Sequence, residues 1–194
     1  MRPADSVDAY LTALAARSST PGGGAVAAMS AAQGCALISM VCRFTRGNSL
    51  DAVLERSDAA RTQCIALAEA DVQAFDAVMA AYRNKSEDRA DMLEHALKQA
   101  AEVPMRLIEL VSTLASDLET LESQGNTNLV TDTGIAAQQI RAAIDAARLN
   151  VLVNLKEVED PAWRLTIQTR LDAAAPVCES LRAIAGRIEA ALAQ

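Results

Sequence analysis

Residues 25–42 read Ala-Val-Ala-Ala-Met-Ser-Ala-Ala-Gln-Gly-Cys-Ala-Leu-Ile-Ser-Met-Val-Cys, without one charged side chain. A helix that is apolar on every side needs cover on every side. The stretch is almost long enough to span a bilayer, but Ala, Gly, Ser and Gln33 keep its hydrophobicity low for that length. It is therefore read as the central helix of a soluble, all-α, long antiparallel helix bundle. One chain of 194 residues can supply the cover; a second copy supplies it more easily, and a homodimer is expected.

Just upstream stands Ser19-Thr20-Pro21-Gly22-Gly23-Gly24. Each glycine loses more backbone entropy on folding than any other residue. Their use is geometric: they let backbone N–H groups approach a neighbour at a helix N-terminus, where the dipole favours negative charge. The competing reading is a plain turn that starts a helix. The segment lacks the Gly-Lys-Ser/Thr ending of a phosphate-binding loop and the GxGxxG spacing of a dinucleotide site.

Composition narrows the class. The chain is 51% hydrophobic but only 3% aromatic, with a net charge of −7 and a pI near 4.8. An acidic chain lacks the basic face of a nucleic-acid binder and has no general attraction to anionic membranes. No nucleic-acid or membrane partner is expected. Cys35, Cys42, Cys64 and Cys178 form no CxxC pair, so they read as small buried hydrophobes of a reducing, cytoplasmic protein, and no metal site is expected. Met1 to Ala15 lacks a signal-peptide pattern.

Helical spacing runs throughout, in one domain over residues 1–194. Val7, Tyr10, Leu11 and Leu14 follow Asp5 and Ser6 as possible caps. The buried helix ends near Phe44, and Gly47-Asn48-Ser49 breaks the chain, with Ser49 able to cap a helix reaching about Tyr82. Asn84 to Ser86 make a turn, after which Glu87 and Asp88 suit a first helical turn. Pro104 is expected to interrupt or kink the next helix, which resumes to Leu121. Beyond Gln124-Gly125, a polar loop of residues 126–131 leads to a helix from about Asp132 to Val158. Pro161 opens a last helix to Leu192, kinked at Pro176.

Two polar clusters carry chemistry. The first, residues 125–134, is Gly-Asn-Thr-Asn-Leu-Val-Thr-Asp-Thr-Gly, in which Asn126 and Asn128 offer amides and Asp132 a carboxylate at a helix start. Alternatively, Thr131 or Asp132 is simply an N-cap. The second cluster contains Asn150 and Asn154, four apart on one helix face among apolar residues. Such asparagines either tie helices together or meet a polar ligand. Asp71 and Asp76 are further carboxylates whose spacing does not put them on one face. His95 reads as a boundary residue, and Trp163 as an anchor that docks a helix.

These stretches, with Asp71 to Met79 and Glu102-Val103-Pro104 in the same order, resemble the cyclodeaminase/cyclohydrolase family. That family includes the cyclodeaminase half of formiminotransferase-cyclodeaminase and stand-alone methenyltetrahydrofolate cyclohydrolases. The resemblance implies a dimerising all-α subunit and a tetrahydrofolate derivative as substrate, with no metal or redox cofactor. It also implies a site built near the glycine turn and the Asn/Asp cluster. Asp132 is then the catalytic carboxylate, matching the family's Ser-Asp-x-Gly pattern, with Asp71 and Asp76 as competitors. Thr20, Pro21, Gly22, Gly23, Gly24, Asn126, Asn128, Thr131, Asn150 and Asn154 would bind substrate.

One departure is plain. Where the family commonly has a lysine run, this chain reads Arg43-Phe44-Thr45-Arg46-Gly47-Asn48-Ser49-Leu50, so Arg43 and Arg46 are the candidates for the substrate's anionic tail. The expected activity is opening of the cationic N5,N10-methenyl bridge to 10-formyltetrahydrofolate. Cyclohydrolase is favoured over cyclodeaminase because the chain has no room for a formiminotransferase domain. The alternatives are a related amidine or imine substrate, formiminotetrahydrofolate cyclodeaminase, and a ligand-binding bundle without catalysis.

Overall fold

A computed structural model describes residues 6–47 and 49–193. It contains α1 (Val7–Ala15), α2 (Gly23–Phe44), α3 (Asp51–Arg83), α4 (Arg89–Ser112), α5 (Ala115–Gln124), α6 (Val130–Leu155), α7 (Pro161–Asp172) and α8 (Ala175–Leu192). There is no strand among the described residues. The expected caps at Asp5 and the break residue Asn48 lie outside them.

The charge-free helix occupies the centre. α2 packs along both α3 and α6, α4 covers α3 and α6 from another side, and α8 covers α6 and α5. Ala25, Ala28, Ala31, Cys35, Ile38 and Cys42 recur at helical spacing and are all buried. Small residues permit close approach: a Cβ on Gly34 would sit 2.9 Å from Ile140 and 3.3 Å from the Ala136 carbonyl oxygen. Gly34 is thus the point at which α2 and α6 can touch. Among the described residues α2 alone is long and apolar enough to cross a bilayer, yet 61% of that window is buried inside the bundle. Its cover is not complete, because Val26, Gln33, Ala36 and Phe44 remain exposed.

Several boundaries differ from the sequence reading. Ser6 does cap α1, accepting the Ala9 N–H at 3.0 Å. Ser49 caps nothing; Leu50 occupies the N-cap position of α3. Glu87 and Asp88 precede α4, whose first-turn acid is Asp91. The helix carrying Pro104 runs through it, and the break comes at Thr113–Leu114. Proline has no N–H to offer the carbonyl four residues back, and here Asn154 Nδ2 donates to that Ala100 carbonyl at 3.2 Å. A side chain from α6 replaces the backbone donor that Pro104 lacks. The expected last helix is two helices, because Pro176 stands in the first turn of α8, where its missing N–H costs nothing. The ends of the bundle are tied by ion pairs: Arg170 bridges Glu102 and Glu109, and Arg187 meets Glu122. Arg56 binds the buried Asp117 through two donors.

Candidate active site

At the start of α2 the chain makes the turn that the glycines promised. The Thr20–Pro21 peptide is cis, Gly22 sits at the N-cap position, and no side chain of the turn caps the helix. The start of the helix is met instead from α3: the Asp71 carboxylate lies against Gly24, within the influence of the Ala25 N–H. Asp71 presses so close that a Cβ on Gly24 would overlap its carboxylate. Gly24 is therefore required, whereas a Cβ on Gly23 would make only ordinary contact with Asn150 Oδ1, at 3.7 Å.

Beside this contact opens a cavity of about 500 Å³, lined by Ser19, Thr20, Gly22, Gly23, Gly24 and Asp71 at one end. α3 contributes Phe75, Val78, Met79 and Tyr82 to its wall, α4 adds Leu97 and Ala100, and α6 adds Asn150, Val153 and Asn154. Lys156 and Glu157 complete the lining just past the end of α6. Burial pushes the Asp71 carboxyl above the usual carboxylate range, with the Ala25 N–H pulling partly the other way. Tyr10 of α1 lies within electrostatic reach of Asp71; its buried hydroxyl has no hydrogen-bond partner among the described residues, and burial, then the charge of Asp71, raises its pKa. A carboxyl poised above its ordinary range, in a half-closed cavity, is suited to moving a proton near neutral pH.

The asparagines of α6 are half committed to structure. Asn150 Nδ2 donates to the Ala146 carbonyl at 3.1 Å, and Asn154 Nδ2 to those of Ala100 and Asn150. Neither Oδ1 accepts a hydrogen bond from the described residues, so both oxygens remain available to a ligand's N–H groups.

The other expected site residues are elsewhere in the chain. Asn126 donates its backbone N–H to Thr45 Oγ1 at 3.0 Å and its Nδ2 to the Phe44 carbonyl at 2.9 Å, while its Oδ1 accepts the Asn128 N–H. That staple holds the polar loop to the C-terminal end of α2, about 33 Å from the glycine turn at about 1.5 Å per residue. Thr127–Leu129 form one 3₁₀ turn there, and α6 begins at Val130 with Leu129, not Thr131 or Asp132, at the N-cap position. Asp132 is half-buried in the first turn of α6, and Asn128 and Thr131 are exposed. Asp132 lies about 27 Å along α6 from Asn150. Arg43 is paired with Asp58 at 2.5 Å, and Arg46 is exposed in the same region.

Within one chain, then, Thr20, Gly22, Gly23, Gly24, Asn150 and Asn154 come together, and Pro21 lies within their turn. Arg43, Arg46, Asn126, Asn128, Thr131 and Asp132 gather at the opposite end. Asp71, the competitor, is at the cavity, while Asp76 is exposed outside it. Sequence reasoning missed Phe75, Met79, Tyr82 and Lys156 as lining residues. A signal existed: Phe75, Met79 and Tyr82 recur on one helix face in a chain with so few aromatics. His95 is exposed, and half-buried Trp163 packs into the core with Lys98 over its ring at 5.8 Å. No group of side chains able to hold a metal ion occurs among the described residues.

Comparison with known proteins places this arrangement. Residues 6–173 match the family model described as formiminotransferase-cyclodeaminase. A methenyltetrahydrofolate cyclohydrolase from Methylorubrum extorquens is 37% identical over 173 residues, covering 82% of this chain and 83% of that protein. A formimidoyltransferase-cyclodeaminase from Rattus norvegicus is 36% identical over 180 residues; the match covers 86% of this chain but only 33% of the rat protein. The solved structure of a formiminotetrahydrofolate cyclodeaminase from Thermotoga maritima matches with a TM-score of 0.90 at 34% identity, covering 97% of this chain and 98% of that one. With the family model matched over residues 6–173, a cyclohydrolase 37% identical over most of both chains and the same fold in a cyclodeaminase, the chain belongs to the formiminotransferase-cyclodeaminase family, on its cyclodeaminase/cyclohydrolase side.

Proposed function

We propose that this protein is a methenyltetrahydrofolate cyclohydrolase, with Asp71 as the carboxylate that handles the proton. The observation that carries the reading is the half-buried Asp71, held against Gly24 and the Ala25 N–H at one end of a cavity large enough for a small ligand. The family's chemistry needs such a group beside a cationic carbon.

In this reading water adds to the methenyl carbon between N5 and N10 while Asp71 takes one of its protons. A neutral tetrahedral carbinolamine results. Asp71 returns that proton to N5 as the carbon–N5 bond breaks, and the hydroxyl proton leaves to solvent as the formyl group forms on N10. One water is consumed and one proton released. The ionised carboxylate also steadies the cation before attack, while the Oδ1 atoms of Asn150 and Asn154 meet N–H groups of the pterin. The scheme is redox-neutral and calls for no metal or cofactor. Loss of methenyltetrahydrofolate absorbance on adding the protein, at a rate well above the buffer reaction, is the expected outcome; a rate equal to buffer removes the assignment.

The likeness to the Thermotoga maritima cyclodeaminase favours a second reading, in which the same cavity closes a 5-formimino group onto N10 with loss of ammonia. Ammonia release from formiminotetrahydrofolate, without turnover of the methenyl form, would select it.

We further propose a cytoplasmic homodimer. Exposed apolar residues run along α2 (Val26, Phe44) and the neighbouring α6 (Ile135, Leu149, Val153), between the two polar clusters. Pairing α2 antiparallel with its copy would bring Asp132 and Asn126 of the partner subunit toward the glycine turn, giving the expected Asn/Asp cluster a role at the same site.

A further inference from the structure

The cavity has a direction. Its reactive end is the glycine turn with Asp71, and α3 runs from there along one wall to Tyr82, about 16 Å away at helical rise. Phe75, Met79 and Tyr82 recur at four and three residues on that wall, and Phe75 and Tyr82 are partly exposed, 37% and 40%. Flat π-faces along an otherwise aliphatic wall suit an aryl ring between two polar ends. Just past the end of α6 stands Lys156, the one cation among the described lining residues and without an ion-pair partner among the described residues. The nearest formal charge along the lining is its neighbour Glu157. Of Arg43 and Arg46, the sequence-based candidates for an anionic tail, Arg43 pairs with Asp58 at the far end of α2 and Arg46 is exposed in the same region.

We propose that Lys156 is the tail-specificity residue: the substrate lies with its one-carbon bridge at Asp71, its benzoyl ring along Phe75 and Tyr82, and its glutamate carboxylate at Lys156, with Glu157 competing for the same cation. This orientation rests on the folate reading above. It makes an unusual demand, that two adjacent residues act with opposite sign. Lys156→Met removes the attraction, whereas Glu157→Gln removes a repulsion and frees Lys156.

The test is equilibrium binding, at low and high salt, of tetrahydrofolate and of a tetrahydropterin lacking the benzoylglutamate. Lys156→Met should weaken tetrahydrofolate about fivefold at low salt, and Glu157→Gln should tighten it by a similar factor; both differences should shrink as salt rises. Neither substitution should change the truncated pterin. Equal losses for both ligands in Lys156→Met, or tail preference lost in Arg46→Gln and kept in Lys156→Met, overturns the proposal while leaving the folate reading intact. Wild-type protein that binds neither ligand overturns both.

Discussion

Asp71 is a residue whose importance comes entirely from where α3 carries it. Locally, nothing separates it from Asp76 five positions on: both sit in the same helix, among similar neighbours. Only the contact with Gly24 and the start of α2 buries one and leaves the other in water. That is why the glycine turn was legible in the sequence, through the entropy that three glycines cost, while the carboxylate opposite it ranked behind Asp132. The raised pKa has two consequences. Its folded value lies above its unfolded value, so the native state holds the proton more tightly, and the contribution to stability present at low pH is lost as pH rises through that raised value. Asp71→Asn, which keeps an oxygen for the Ala25 N–H, should therefore be more stable than wild type at neutral pH and match it at low pH in denaturant titrations. Turnover should fall by about 10²–10⁴-fold. The wild-type acid limb, an increase in kcat as Asp71 ionises above the ordinary carboxylate range, should vanish with it. A variant with unchanged kcat and an unchanged acid limb would remove Asp71 from the chemistry.

Among the elements, α4 and α6 are joined by an exchange between two residues fifty positions apart. Pro104 withholds a backbone donor from Ala100, and Asn154 supplies one. In the sequence, Pro104 reads as an interruption or kink, and Asn154 as either a tie between helices or a ligand contact. Neither reading could anticipate the other, because the link exists only once the two helices are packed. The same limit hid the end of α7: with Pro176 serving as a helix start, the break falls at Ala173–Ala174, which no glycine marks. A double-mutant cycle checks the exchange. Asn154→Ala should destabilise the protein by about 1–3 kcal/mol, the cost of leaving the half-buried Ala100 carbonyl unpaired. In a Pro104→Ala background the helix can bond Ala100 itself, and the same Asn154→Ala change should cost markedly less. Additive losses would mean that Asn154 contributes through packing alone.

For the molecule as a whole, the helical architecture was readable because the uncharged 25–42 stretch admits few other folds, and its resemblance placed the polar clusters in order. What one chain does not do is bring those clusters together. The glycine turn with Asp71 and the loop with Asp132 are held at opposite ends of α2 by the helix itself and by the Asn126 staple to Phe44 and Thr45. No side-chain motion bridges about 33 Å, so either Asp132 serves only its own end of the bundle or a second subunit delivers it. Subunit complementation separates these. If Asp132 acts across a dimer, Asp71→Asn and Asp132→Asn should each be nearly inactive alone. Mixed dimers of the two would then contain one site with both carboxylates intact and one with neither, so refolding an equimolar mixture should restore about a quarter of wild-type activity, since half the dimers are mixed and each carries one good site. If Asp132 serves only structure, Asp132→Asn alone should keep its turnover and mixing should add nothing beyond the average of the two. If the two carboxylates met within one chain, the mixture would stay as inactive as its components. The recovered fraction thus reads out which copy of the chain completes the site.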